Sequence, residues 1–331
     1  MQKVTKDQLI DKAVALLNDG TVCCVLGWKK GEFDYDLTPA VFDSEEALRE
    51  GFEFNDFCGA NFSKYLISHT RKCSGRVLVF LKSCDSYSFN QLLTEHRFDR
   101  EKVYAVGIPC EGMADIEKVK AVTGEGIASI DCGEKIAVTT IYDDEPVLID
   151  AKDVLLERCI NCKSRKVVAY DELMGDEGEV LDSNRFDEVE RIEAMTPDER
   201  YAFWQNELSR CIRCNACRDV CPACTCETCV FNNAKSGVEN KAAADSFEEK
   251  MFHIIRAFHV AGRCTDCGEC SRVCPQNIPL HLLNRKFIKD INTCYGEYQA
   301  GAEVGSVAPL VDYTTEDLEP NEVFDRRDID A

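Results

Sequence analysis

The sequence predicts an α+β protein, with an N-terminal α/β domain built on a mixed sheet and a helical domain after it. In the first half, short apolar runs bounded by turn residues alternate with segments of helical periodicity. In the second half, most of the chain's 21 cysteines fall among helical patterns. We expect domains over residues 1–170 and 201–300, an acidic connector over 171–200, and an acidic arm or tail over 301–331.

The elements of the first domain follow from these patterns. Residues 6–19 have helical spacing and end at Asn18-Asp19-Gly20, a typical stop signal. The apolar runs 21–28, 76–83 and 102–109 predict buried strands, and 86–98 fits a helix between the last two. Strand, helix and strand at that spacing indicate a βαβ crossover. Residues 126–150 predict an antiparallel meander, with turns near 132–133 and 143–144.

The composition excludes several classes of protein. With 39 Lys and Arg against 60 Asp and Glu, the formal charge is −21, the wrong sign for a nucleic-acid binder. The acidic surface either keeps the protein dispersed or steers docking onto a basic partner. No apolar run approaches the length of a membrane span, and the N-terminus carries no export signal. An odd number of cysteines in a cytoplasmic chain indicates thiolate ligands rather than a disulfide framework.

Two cysteine runs provide the strongest signal. "CIRCNACRDVCP" (211–222) and "CTDCGECSRVCP" (264–275) both follow the spacing C-x2-C-x2-C-x3-C-P. In this pattern three thiolates bind one four-iron four-sulfur cluster and the fourth binds the other cluster. The predicted ligands form two crossed sets, set A (Cys211, Cys214, Cys217, Cys274) and set B (Cys264, Cys267, Cys270, Cys221). The alternative is two structural zinc sites, which C-x2-C pairs also build.

The surroundings of the two runs are helical. One face of a predicted helix that ends near Gly262 carries Phe247, Met251, Ile254, Ile255 and Phe258. Residues 278–291 predict another helix. This region resembles the α-helical ferredoxin domain of fumarate-reductase and heterodisulfide-reductase iron–sulfur subunits. The first of these helices carries two histidines, His253 and His259. They are interpreted as residues of the helix face whose hydrogen-bonding groups are satisfied, rather than as ligands of a cluster.

A second constellation lies in the first domain and is called set C (Cys84, Cys110, Cys159, Cys162). Two of its cysteines follow predicted strands, and the other two form the C-x2-C pair of "ERCINCKS". The carboxyl ends of parallel strands are common places for sites. Set C could therefore hold a third cluster; buried or zinc-binding thiols are the alternative.

At these residues the chain resembles a known family. The order K-x-C-D-S, then R-E-x-V-x-x-x-G-x-P-C-x-G, then C-x2-C is similar to that of the β subunits of deazaflavin-coenzyme-reducing hydrogenases and formate dehydrogenases, over residues 55–175. The resemblance implies that set C holds a cluster and that the fold offers a site for FAD. No G-x-G-x-x-G follows a predicted strand, so FAD rests on the resemblance alone.

The remaining cysteines leave alternatives open. Cys224, Cys226 and Cys229 follow the first run directly, with Cys58 or Cys294 as a fourth candidate. Three alternatives are open: these cysteines bind a fourth cluster, they bind zinc, or they pack as free thiols near the clusters. A non-cubane cluster motif needs a Cys-Cys pair followed by C-x2-C some tens of residues later. After Cys23-Cys24 the first such C-x2-C is Cys159 and Cys162, more than a hundred residues away. The pair is therefore interpreted as buried thiols of a strand.

Together these patterns predict an iron–sulfur electron-transfer subunit of a cytoplasmic, anaerobic oxidoreductase complex. It would relay electrons through two, three or four 4Fe-4S clusters between a flavin or flavoprotein and a partner catalytic subunit. By the resemblance, that partner is a formate dehydrogenase, a hydrogenase or a heterodisulfide-reductase-like flavoprotein. The alternative is a self-contained FAD-dependent reductase that exchanges a hydride with a soluble coenzyme.

Overall fold

The computed structural model describes residues 4–233, 235 and 246–309. Its helices are α1 (Lys6–Asn18), α2 (Glu45–Gly51), α3 (Ser63–Lys72), α4 (Ser83–Thr94), α5 (Ile116–Thr123), α6 (Glu157–Ile160), α7 (Asp187–Glu193), α8 (Pro197–Ser209), α9 (Ala216–Asp219), α10 (Ser246–His259), α11 (Glu269–Arg272) and α12 (Leu280–Tyr295). Its strands are β1 (Cys24–Lys30), β2 (Leu37–Phe42), β3 (Val77–Leu81), β4 (Val103–Gly107), β5 (Ile127–Cys132), β6 (Ile136–Thr140), β7 (Asp143–Ile149) and β8 (Glu172–Leu173).

A five-stranded mixed sheet organises the first half of the chain. Its strand order is β2-β1-β3-β4-β8, with β2 antiparallel to β1 and the other neighbours parallel. All five residues of β3 are buried, as expected of a central strand covered on both faces. The predicted mixed sheet and the β3-α4-β4 crossover are confirmed. The predicted meander is present as the separate sheet β5-β6-β7.

Helix α4 begins three residues earlier than its pattern predicted. Lys82 precedes the helix, and its backbone N–H donates to Asp85 Oδ2 at 3.3 Å. The two side chains form an ion pair of 2.8 Å, and both are buried. Lys82 Nζ also donates to Ala60 O at 3.0 Å. This buried pair starts the helix at Ser83 and so places Cys84 in its first turn rather than in a loop.

One turn of the meander lies at a different position from the predicted one. Residues 143–144 belong to β7 rather than to a turn, which falls at 141–142 instead. The connector also contains β8, which the sequence did not predict and which adds an edge strand to the main sheet, and α7 and the start of α8 lie toward its end. A two-residue strand is too short to produce a periodic pattern.

The second half is helical, as predicted. Helix α10 packs against α8 and α12, and the short helices α9 and α11, each of which lies within one cysteine run, contact each other. Of the predicted arm, residues 301–309 lie against the first domain, where Gly305 N–H donates to Thr94 Oγ1 at 2.9 Å. Residues 310–331 lie outside the described part. No helix in the described ranges is long and apolar enough to cross a membrane.

A buried ion network joins the two halves. The carboxylate of Glu269 receives Arg158 Nη1 at 2.7 Å, Arg272 Nε at 2.7 Å and the Asn61 backbone N–H at 3.1 Å. Arg158 Nη2 also donates to Gly59 O at 2.6 Å. Burial would raise the pKa of Glu269, but the two guanidinium groups outweigh it and lower the pKa to about 2. The carboxylate therefore stays ionised between the two halves.

We expect Glu269→Gln to reduce the free energy of unfolding by roughly 3–5 kcal/mol, because it leaves buried guanidinium charge uncompensated. Anaerobic urea denaturation of the cluster-loaded protein measures this. Glu188→Gln is the matched control, since its pair with Arg191 is exposed and is expected to be worth less than about 1 kcal/mol. Equal losses in the two variants would contradict the role of the network.

Candidate iron–sulfur sites

The two cysteine runs adopt the same backbone conformation. In the first run, Arg213 and Asn215 have φ of 54° and 64°; in the second, Asp266 and Gly268 have φ of 61° and 66°. Three of these four are not glycine, and side chains rarely occupy this left-handed region. The turns aim backbone N–H groups at sulfur, as when Arg213 N–H donates to Cys211 Sγ at 3.4 Å. Such donors stabilise thiolates, so the conformation suits metal ligands.

Set A converges on one cavity. All four of its cysteines line an enclosed space of about 20 Å³ between the first run and the end of the second. Cys274 contributes to it although it lies 57 positions beyond Cys217. Burial raises the pKa of the Cys217 thiol to about 12, and the thiols of Cys270, Cys211 and Cys274 add to the rise. The fourth cysteine of the second run thus faces the first run, as the crossed assignment requires.

Set B shows the reciprocal arrangement. Burial raises the pKa of Cys264, Cys267 and Cys270, and in each case the Cys221 thiol adds to the rise. The fourth cysteine of the first run is therefore close to all three thiols of the second run. A cluster that binds four thiolates supplies the positive charge that deprotonates such buried thiols.

Set C also converges, at the carboxyl ends of β3 and β4. Its four cysteines line a cavity of about 60 Å³ together with Lys82, Arg158 and, from the second run, Cys267. Burial raises the pKa of Cys110 to about 12, and the thiols of Cys159 and Cys162 add to the rise. Cys159 lies in α6 next to Arg158, so the ion network at Glu269 also positions this set.

The three thiol sets fit iron–sulfur clusters by their donor chemistry. Each set brings together four sulfur donors from two or more separate segments of the chain. Four thiolates are the usual ligands of a cubane cluster. Within the described residues, the only three potential ligands whose donor atoms all lie within 4.8 Å of one another are Cys23, Cys24 and Cys73. Sets A, B and C are thus more widely spaced than ligands of a single ion, as expected when each thiolate binds a different iron.

Buried cations accompany the thiols, and sequence reasoning missed them. Arg256, on α10, is 1 % exposed, and its guanidinium nitrogens have no hydrogen-bond partner of good geometry within the described residues. Burial would lower its pKa, but the thiols of Cys270 and Cys217, one from each of sets B and A, raise it. One signal was available, because Arg256 follows the buried Phe252 by four positions and so interrupts the apolar face of the helix.

His253 also differs from its interpretation. It lines the cavity of set A, is 1 % exposed, and neither ring nitrogen has a hydrogen-bond partner within the described residues. Burial, with Arg256 and Arg213 nearby, lowers its pKa to about 3, so the ring is neutral. It is therefore not a satisfied helix-face residue. His259, in contrast, is exposed on α10.

The three cysteines after the first run are dispersed. Cys224 packs with Cys221 and Cys264, beside set B. Cys229 packs instead against the apolar cluster that contains Phe231, while Cys226 is exposed. The two candidates for a fourth ligand are also separate, because Cys58 is buried in the core of the first domain and Cys294 is exposed near the end of α12. A further cluster at these residues stays a prediction.

Comparison with known proteins finds a dicluster family for part of the chain and related redox subunits for most of it. Residues 207–278 match the family of 4Fe-4S dicluster domains. The β subunit of the F420-dependent formate dehydrogenase of Methanocaldococcus jannaschii is 23 % identical over 352 aligned residues, which cover 89 % of this chain and 91 % of that one. The β subunit of F420-dependent formate dehydrogenase 1 of Methanococcus maripaludis is 25 % identical, covering 65 % of this chain and 71 % of the relative.

Among solved structures, a chain of the F420-reducing [NiFe] hydrogenase complex from Methanosarcina barkeri aligns with a TM-score of 0.38 at 13 % identity, covering 63 % of this chain and 91 % of that one. That score is too low to establish a shared fold. The sequence matches, in contrast, run through both halves of the molecule. The chain resembles the β-subunit family of deazaflavin-coenzyme-reducing hydrogenases and formate dehydrogenases, and it carries an α-helical dicluster ferredoxin domain.

Proposed function

We propose that the chain is the electron-relay subunit of a cytoplasmic, anaerobic oxidoreductase complex, with 4Fe-4S clusters at sets A, B and C. The observation that carries the proposal is the contiguity of the three sets. Cys267 of set B lines the cavity of set C, and Cys217 of set A lies close to Cys270 of set B. The order along the molecule is therefore C, B, A.

A bound cubane cluster accepts and donates single electrons. The chain's own residues would hold the three clusters in a fixed row and shield set B from water. The second-run thiols Cys267 and Cys270 are buried, whereas Cys214 of set A is exposed. Set A therefore offers an exit at one end of the row. At the other end, the cavity of set C is bordered by the half-buried side chains of Lys163 and Arg165.

The partners in this proposal are other redox subunits. A flavin or flavoprotein would dock on the N-terminal domain near set C, and the catalytic subunit near set A. The printed names of the relatives support a formate dehydrogenase or hydrogenase as the catalytic partner. The acidic surface, with a formal charge of −21, would steer docking onto basic faces of these partners.

A second candidate function has one observation in its favour. A groove of about 580 Å³ between the two halves, within the usual range of small-molecule sites, is lined by Tyr35, Arg158, Arg272 and Cys274 of set A among others. FAD bound there would make the chain a self-contained reductase. The two guanidinium groups that line the groove are already paired with Glu269. A diphosphate would compete with that pairing, so the relay fits the geometry better.

Metal and flavin analysis of the anaerobically purified chain tests both functions. We expect about twelve irons with matching sulfide, as three cubane clusters require, and no stoichiometric flavin. About sixteen irons would add a cluster at the three cysteines after the first run. Eight or fewer, with zinc, would contradict the cluster at set C. Stoichiometric FAD with dye reduction by a nicotinamide or deazaflavin donor would favour the reductase.

The crossed ligand assignment predicts which serine variants share a phenotype. We expect Cys221→Ser to alter the same electron paramagnetic resonance signal as Cys264→Ser, because both thiols belong to set B. Likewise Cys274→Ser should match Cys214→Ser. The exposed Cys294 is the control, and its serine variant should leave all signals unchanged. Grouping of Cys221→Ser with Cys214→Ser would contradict the crossed sets.

Arg256 is expected to tune the clusters of sets A and B. Unit charges about 4–8 Å apart interact by roughly 2–4 kcal/mol at an effective dielectric constant of about 20. For a one-electron couple this corresponds to on the order of 100 mV. Arg256→Met should therefore lower both potentials by that order in a redox titration, whereas Arg256→Lys should retain most of the effect. Arg191→Met, at an exposed position, is the control. A variant that loses stability while both potentials stay unchanged would show a purely structural role.

A further inference from the structure

A fourth group of thiols lies at the opposite ends of the parallel strands from set C. Cys23 and Cys24 lie at the start of β1, and Cys73 ends α3 just before β3. Set C follows the carboxyl ends of β3 and β4, so the five residues of β3 separate the two groups by about 16 Å. The interpretation of Cys23-Cys24 as strand-core thiols did not include Cys73, which only the fold brings to them.

The three sulfur atoms converge on one point. Cys24 Sγ lies 3.2 Å from Cys73 Sγ and 3.9 Å from Cys23 Sγ, and all three lie within 4.8 Å of one another. With Zn–S bonds of about 2.3 Å in tetrahedral geometry, two sulfur ligands lie about 3.8 Å apart. The observed separations bracket this value. They suit one ion rather than a cubane cluster, whose thiolates bind different irons.

The backbone holds these thiols in place without a metal. Cys24 pairs with Val77 across β1 and β3, and Cys23 N–H donates to Arg76 O at 2.8 Å. Cys73 N–H donates to His69 O at 2.9 Å, which closes α3. Gly75 lets the chain pass close to Cys23, because a Cβ there would lie 3.1 Å from the Cys23 Cβ. The three donors therefore come from segments that the fold already fixes.

The chemistry of the group favours a cation. Cys24 is buried, while Cys23 and Cys73 are half-buried, so an ion can reach the group from the surface. Burial raises the pKa of Cys24, and both neighbouring thiols add to the rise. A bound metal ion reverses this effect by deprotonating its thiol ligands. A disulfide would use only two of the three thiols, whereas an ion uses all three.

We propose that Cys23, Cys24 and Cys73 bind one zinc ion, with a fourth ligand from solvent. Thiolate ligands select soft ions, and zinc takes four ligands. The ion would tie the end of α3 to the start of β1. Helix α3 also reaches the dicluster domain, where Lys64 Nζ donates to Arg218 O at 3.3 Å. The site therefore anchors a helix that contacts both halves of the molecule, and it does not depend on the relay function.

The test uses full-length protein purified without oxygen and with its clusters assembled, and Zn²⁺ is the probe. We expect about one zinc per chain beside the full complement of iron, and X-ray absorption at the zinc edge should show three sulfur atoms and one lighter atom. In Cys73→Ser and in Cys23→Ser, both at half-buried positions, bound zinc should fall at least tenfold while iron is unchanged. Cys294→Ser is the matched control and should keep its zinc.

Cys84→Ser separates this site from the relay, because it should lose iron from set C and keep the zinc. Four sulfur atoms around zinc, or zinc that persists in Cys73→Ser, would place the ion at a cluster site and overturn the proposal. A disulfide between Cys24 and Cys73 in the anaerobic protein, found by mass spectrometry of its peptides, would also overturn it. Failure of the iron count at set C would leave the zinc result standing.

Discussion

The structure depends on the burial of one carboxylate between two guanidinium groups. Glu269 is fully buried, and its partners Arg158 and Arg272 come from the first domain and from its own short helix. A buried charge of this kind is tolerated only when it is paired and hydrogen-bonded. Because Arg158 is adjacent to Cys159 and Glu269 is adjacent to Cys270, the same pairing that joins the domains also aligns two of the thiol sets.

A second constraint is electrostatic. Twelve thiols lie in three neighbouring sets, and as cluster ligands they would form a dense group of negative charges. The protein places cations inside this group, with Lys82 and Arg158 at set C and Arg256 between sets A and B. Lys82 is paired with Asp85, whereas Arg256 has no good hydrogen-bond partner among the described residues. Arg256 is therefore the buried cation that would gain most from a negatively charged cluster beside it.

The two cysteine runs are structural copies that differ where the molecule needs them to differ. Position three of each run has a left-handed backbone, but it is Arg213 in one and Asp266 in the other. Arg213 stacks over the Phe252 ring at 4.0 Å, near set A, whereas Asp266 pairs with Arg285 at 2.8 Å, near set B. Just after the first run, Cys224 N–H donates to Cys221 O at 3.1 Å. Just after the second run, Asn277 N–H makes the equivalent bond to Cys274 O at 3.0 Å. This equivalence explains the backbone position of Cys224, and it leaves its sulfur free to pack beside set B.

Spacing along the chain determined much of this molecule by itself. The two C-x2-C-x2-C-x3-C-P runs predicted crossed sets, and the strand and helix patterns predicted the mixed sheet and its crossover, because these features depend on residues close in sequence. Tertiary structure decided the rest. The pairing of Arg158 with Glu269 joins residues 111 positions apart, and the approach of Cys73 to Cys24 spans 49. Neither leaves a local pattern, since both arise where separate strands and helices pack together in the folded chain.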